Sequence, residues 1–100
     1  MFDKKIEAND NTQIIELIGD LDVYSEDDFK SFIDEEIDID KDIIIDLSEL
    51  EYLDSTGLGM FMIIYKMQES NDKTVKVINA KENIKKLFKI TDLTDLFDME

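Results

Sequence analysis

One hundred residues carry 26 acidic and 11 basic side chains, with no histidine and no cysteine, for a formal charge of −15. A chain this acidic has no basic stripe with which to neutralise phosphates, so nucleic acid is excluded as a partner and anionic membrane surfaces are disfavoured. The missing residue types exclude Ser-His and thiolate nucleophiles, imidazole acid–base chemistry, disulfides and His- or Cys-ligated zinc.

In chain order, Met1 to Ala8 reads as a weak strand and Asn9-Asp10-Asn11 as a turn. Thr12 to Ile18 is a better strand, so the two are expected to form a hairpin. Ser25 reads as the N-cap of a helix with Glu26, Asp27 and Asp28 in its first turn, where the helix dipole favours acids. Phe29, Phe32, Ile33 and Ile37 fall on one face of that helix. Asp42 to Leu47 is a continuous β-branched-rich run and predicts a central strand. From Gly57 to Ser70 the pattern is helical, with Leu58, Phe61, Met62 and Tyr65 in one stripe and Met60, Ile63, Ile64 and Met67 widening it almost round the cylinder. So much apolar surface means either deep packing on the sheet or a first two turns left open to a partner.

Thr74 to Ile78 predicts the next strand. Asn79 is the expected cap of a helix that Glu82 completes as a capping box, with Ile84, Leu87 and Phe88 facing inward. Thr91 to Phe97 reads as a last short helix. The length predicts one domain over residues 1–100. The element order predicts an α/β fold: an N-terminal hairpin, then parallel crossovers, giving a mixed sheet of about four to five strands packed with about four helices. Met1 to Ala8 alternates charge and lacks an apolar stretch, so no signal peptide is expected, and the run from Gly57 to Tyr65 is too short to span a bilayer. The expectation is a cytoplasmic protein with no membrane partner, whose field would draw in a basic protein surface.

Function in open α/β sheets sits beyond the carboxyl ends of the strands. Two segments qualify, Gly19 to Ser25 and Leu50 to Gly57, and the crossovers are expected to gather Asp20, Asp22, Tyr24, Asp54, Ser55 and Thr56 on one rim. Asp54-Ser55-Thr56-Gly57-Leu58-Gly59 joins the central strand to the apolar helix. Hydroxyls at a helix N-terminus can carry a phosphoryl group at low electrostatic cost, and glycines let another macromolecule approach the backbone. The chain reads as built to receive a phosphate. For Ser55 the residues alone leave two equal readings, a phosphoryl acceptor and a simple helix N-cap; Thr56 competes for both roles and is assigned mainly to capping or packing. Tyr24, Met60 and Leu58 are expected apolar contacts around it, although Leu58 fits ordinary packing better.

Other readings fit less well. Asp38, Asp40, Asp42, Ile44, Asp46 and Glu49 have calcium-loop spacing, but Ile43 stands where that loop needs a sharply turning glycine. The Asp54-Ser55-Thr56-Gly57 segment occurs once, whereas an aspartic-protease dyad needs two copies. No Walker-type phosphate loop is present. A receiver-type phospho-aspartate would need a lysine directly after a predicted strand, and none follows.

Gly19-Asp20-Leu21-Asp22-Val23-Tyr24-Ser25, Tyr52 to Gly59, and Ile84 to Leu93 together resemble the bacterial anti-sigma factor antagonists of the STAS domain family. The resemblance covers essentially the whole chain, and Asp54 to Gly59 is its most specific part. It implies a STAS-domain fold and a regulatory protein that is not itself an enzyme and needs no cofactor of its own. Unphosphorylated, such a protein binds an anti-sigma factor that is also a serine kinase, and a sigma factor is released. The kinase, holding ATP and magnesium, phosphorylates the serine after the motif aspartate, here Ser55, and a PP2C-type serine phosphatase reverses it. The implied partner surface is Asp20, Asp22, Tyr24, Ser25, Asp54, Ser55, Thr56, Gly57, Leu58, Gly59 and Met60. The wording around Asp22 leans towards the stress-response branch. A STAS domain that binds nucleotide or regulates a different complex is the alternative, since one fold serves many roles.

Overall fold

The computed structural model describes residues 1–99. Four strands form one sheet in the order β1-β2-β3-β4. Strands β1 (Phe2–Ala8) and β2 (Thr12–Leu21) make an antiparallel hairpin; β3 (Asp42–Leu53) and β4 (Val75–Ile78) add in parallel. Helix α1 (Glu26–Glu36) links β2 to β3, α2 (Ser55–Glu69) links β3 to β4, and α3 (Glu82–Ile90) follows β4. Both crossovers step in the same direction across the sheet, so a common hand lays their helices on one face.

Sequence chemistry explains the elements. Asn9 folds the hairpin turn: its side-chain oxygen accepts from the amides of Asn11 (2.9 Å) and Thr12 (2.8 Å). Ile15, Leu17, Ile43, Ile45 and Leu47 point into the core, whereas Ile14, Ile18 and Ile44 alternate onto the opposite, helix-free face. Phe29, Phe32 and Ile33 bury the inner face of α1. Phe61, Phe88 and Phe97 pack edge to face or tilted, with ring centroids 5.6–6.0 Å apart.

Three expectations are corrected. Strand β3 runs on to Leu53, six residues beyond the predicted end at Leu47, and β2 runs on to Leu21. The pairing Glu16↔Asp46, Ile18↔Glu49, Gly19↔Leu50 and Asp20↔Tyr52 shifts register twice, so β3 carries two extra residues. These bulges place Leu47, Leu50 and Leu53 on the same buried face three residues apart, which hides the strand from a search for strict alternation. Thr91 to Phe97 is a run of turns, not a helix. Asp92 takes a left-handed conformation (φ 63°), and the amide of Leu93 bonds back to the carbonyl of Phe88 at 2.8 Å, closing α3 as a Schellman motif. The segment then turns back, buries Phe97 and pairs its carbonyl with the amide of Val77 at 2.9 Å.

The third concerns a cap. Asn79 does not cap α3: it has φ 59°, and Lys81 holds the N-cap position without a side-chain bond. Ser25 holds the expected N-cap position of α1, but its hydroxyl bonds no helix amide. Of the residues with calcium-loop spacing, Asp38 and Asp40 precede β3, while Asp42, Ile44 and Asp46 line one face of that extended strand and so are strung out along it instead of folding round a common point.

Candidate functional site: the rim at the ends of strands β2 and β3

Two parallel strands finish side by side. Leu21 and Leu53 are register partners, and both are buried, so the chain leaves adjacent strands at the same level. Each exit uses the same device, an aspartate in extended conformation that caps the helical turn after it.

On the β2 side the cap is Asp22. Its Oδ1 accepts from the amide of Tyr24 at 3.0 Å, and its own amide donates to Ser25 Oγ at 3.0 Å, a reciprocal capping box around the 3₁₀ turn Val23–Ser25. Ser25 Oγ also donates towards the carbonyl of Asp20 at 3.1 Å. Ser25 is therefore buried and its hydroxyl is committed to the turn, while its backbone holds the N-cap position of α1. The bracing holds Tyr24 outward at 94% exposure and Val23 at 57%. The capping box fixes the backbone that carries the ring, so docking has to order only the side chain and not the turn.

On the β3 side the cap is Asp54. Its Oδ1 accepts from the amides of Thr56 (3.0 Å) and Gly57 (3.2 Å), and its carbonyl accepts from Leu58 N at 3.0 Å. The alternative of Ser55 as a plain N-cap is thereby overturned, as is the capping role considered for Thr56. Three cap-competent residues stand in a row here. The strand pairing decides between them, because Leu53 is held against Leu21 and Asp54 is the first residue free of the sheet. Ser55 becomes the first helical residue and is exposed; its hydroxyl makes no hydrogen bond among the described residues. Thr56 is half-buried.

The structure brings Asp20, Asp22, Tyr24, Asp54, Ser55 and Thr56 to this rim and leaves Gly59 exposed one turn into α2. It withdraws others from the expected partner surface. Met60 is 1% exposed and Leu58 7% exposed, both in the core. Gly57 is buried too: a β-carbon there would lie 2.2 Å from Leu53 Cδ1 and 3.1 Å from Leu21 Cγ, so this glycine serves the close approach of α2 to the strand ends. Helix α2 is deeply packed along Leu58, Phe61 and Ile64, yet an outer strip remains. Ser55, Gly59, half-buried Met62 and Ile63 (45% exposed) continue along it at three- and four-residue steps. Val23 and Ile63 were not among the expected site residues. The readable signal for Ile63 was its place eight positions beyond Ser55 on a helical repeat. Val23 gave none, since only the rigid turn makes a buried-type residue face outward.

The rim combines three acidic side chains, a free hydroxyl at a helix start and a modest apolar strip. Among the described residues no group of three or more His, Cys, Asp or Glu side chains is placed to hold a metal ion. Among the described residues no helix is long and apolar enough to cross a membrane.

A family model described as the STAS domain matches residues 3–100. The anti-sigma-B factor antagonist of Bacillus subtilis (strain 168) is 32% identical over 94 residues, 94% of this chain and 86% of that protein. The structure of the anti-sigma factor antagonist SpoIIAA in its unphosphorylated form superposes with a TM-score of 0.81 at 21% identity, over 94% of this chain and 84% of that one. That of the Bacillus cell fate determinant SpoIIAA in the phosphorylated form gives 0.74 at 21% identity, over 94% and 87%. At such identity the structural likeness speaks for the fold, a hairpin-led mixed sheet with its helices on one side. With the family model spanning nearly every residue and that architecture shared, the chain belongs to the STAS domain family.

Proposed function

We propose that this protein is an anti-sigma factor antagonist switched by reversible phosphorylation of Ser55. The observation that carries the reading is the exposed, hydrogen-bond-free hydroxyl at the first position of α2, directly after the capping Asp54. The likeness to proteins named anti-sigma-B factor antagonist supports the biological setting. In the unphosphorylated state the rim docks on an anti-sigma factor that is also a serine kinase, and the sigma factor is released. Tyr24 and Val23 supply the preorganised apolar anchor, the outer strip of α2 supplies the floor, and Asp20, Asp22 and Asp54 supply the acidic border.

The partner holds ATP and magnesium. Ser55 Oγ attacks the γ-phosphorus, the new Oγ–P bond forms as the bond to the ADP oxygen breaks, and the hydroxyl proton passes to a base of the partner. This chain contributes position only. The product adds about −1.5 to −2 charges to an already acidic rim. The first-turn amides of Thr56 and Gly57 are already engaged by Asp54, so the phosphate gains little from the helix terminus and projects its charge outward. Repulsion and crowding then weaken docking; a hundredfold loss corresponds to about 2.7 kcal/mol. A PP2C-type phosphatase restores the hydroxyl.

The test is to incubate the protein with its host's anti-sigma kinase and ATP, map the modified residue by mass spectrometry, and measure binding by calorimetry. Ser55→Ala is expected to bind like the wild type and to stay unlabelled; Ser55→Asp is expected to bind at least tenfold more weakly. Full labelling of Ser55→Ala would refute the assignment.

A further inference from the structure

We propose that Gly59 is a specificity-determining contact, kept free of a side chain so that the wall of the partner's kinase cleft can seat directly on the α2 backbone beside Ser55. The inference rests on the proposed phosphorylation of Ser55 and adds how the cleft reaches it.

Gly59 lies in the interior of α2, where glycine weakens a helix relative to alanine. Nothing in the fold asks for it. Its φ is not positive, it is exposed, and a β-carbon placed on it meets no atom within 4 Å. Gly57, two residues earlier, shows the contrast, because there a β-carbon would strike Leu53 and Leu21. One glycine of the pair serves the domain's own packing, and the other leaves open space on the outside.

The position of that space gives it meaning. Residues four apart share a helix face and are separated by about 6 Å along the axis, so Gly59 lies one turn below Ser55 on the same outer strip. A serine hydroxyl is short. For Ser55 Oγ to meet a phosphorus atom inside a cleft, the walls of that cleft must descend onto the helix surface around it. Bare backbone at Gly59 lets a wall atom rest against the α-carbon at ordinary van der Waals distance, about 3.5–4 Å. A β-carbon would hold that wall more than ~1 Å farther out, and a misplacement of about 1 Å is enough to cost ~100-fold in an in-line transfer. The anchor at Tyr24 and the strip through Met62 and Ile63 are continuous with this point, so the occupant is the partner that phosphorylates Ser55.

The experiment compares wild type, Gly59→Ala, Gly59→Leu and Ser55→Ala, using the host's anti-sigma kinase with ATP and magnesium. Melting temperature, affinity of the unphosphorylated form and initial labelling rate are measured for each. Gly59→Ala is expected to melt about 2–8 °C higher than the wild type, as the helix gains a better former. Its kcat/KM as a kinase substrate is expected to fall at least tenfold, and that of Gly59→Leu further. A merely structural glycine would move stability and labelling in the same direction, so opposite signs are the signature. Gly59→Ala labelled at the wild-type rate and affinity would overturn the proposal while leaving Ser55 as the acceptor. A lowered melting temperature for Gly59→Ala would also overturn it, by showing that the fold itself needs the glycine. A wild type that is not labelled, or a Ser55→Ala variant that is, would overturn the proposed function and this inference together.

Discussion

Replacing Asp54 tests the construction of the rim at its most exposed joint. Its Oδ1 takes the amides of Thr56 and Gly57 at 3.0 and 3.2 Å. Loss of a capping side chain costs about 0.5–2 kcal/mol in general. Gly57 is buried, so its amide cannot turn to water for a substitute partner, and the cost falls near the upper end. Removing the anion from the positive end of α2 adds about 0.5 kcal/mol. Asp54→Ala is therefore expected to destabilise the domain by about 2–2.5 kcal/mol, a fall of roughly 8–20 °C in melting temperature for a domain of this size. Asp54→Asn keeps an oxygen acceptor in the same place and forfeits only the charge, for about 0.5 kcal/mol. Thermal and urea unfolding followed by circular dichroism measure both variants. If the two variants lose equal stability, or if Asp54→Ala stays within about 0.3 kcal/mol of the wild type, the capping account is wrong.

Three further outcomes follow from the packing. Gly57→Ala forces a β-carbon against Leu53 and Leu21 and is expected to cost about 1–3 kcal/mol from overpacking despite alanine's better helix propensity, measurable by the same unfolding curves. Phe97→Ala empties the centre of the aromatic cluster formed with Phe61, Phe88 and Tyr65, for about 3–5 kcal/mol, and hydrogen exchange at Val77, whose amide bonds the Phe97 carbonyl, is expected to accelerate. Tyr65 donates its hydroxyl to Glu69 at 3.1 Å, and that carboxylate holds the phenol above its ordinary pKa of 10.0. Glu69→Gln is therefore expected to lower the Tyr65 titration midpoint, read by NMR.

How much of this was legible beforehand depends on the range of the physics involved. The Asn9 turn, the buried face of α1 and the start of β3 are fixed by residues a few positions apart, and periodicity alone reveals them. The C-terminal half of β3 was hidden because its bulges are set by β2, some thirty residues away in sequence. Asp54, Ser55 and Thr56 are comparable caps by local preference, so only the pairing of Leu21 with Leu53 could single out the aspartate. The same dependence on long-range packing explains Met60, whose wide apolar helix leaves the direction of each side chain open until the sheet is in place. Asp92 ended α3 without the glycine that usually marks such a stop.

The paired leucines beneath the two exits make them one mechanical unit. Leu21 sits under the Asp22 turn, Leu53 under the Asp54 turn, and Gly57 is wedged against both. Changes made in the two turns together are for that reason expected to be non-additive, with coupling energies of about 0.5–3 kcal/mol in double-mutant cycles. A lineage that retunes one arm for a new partner must adjust the other in step.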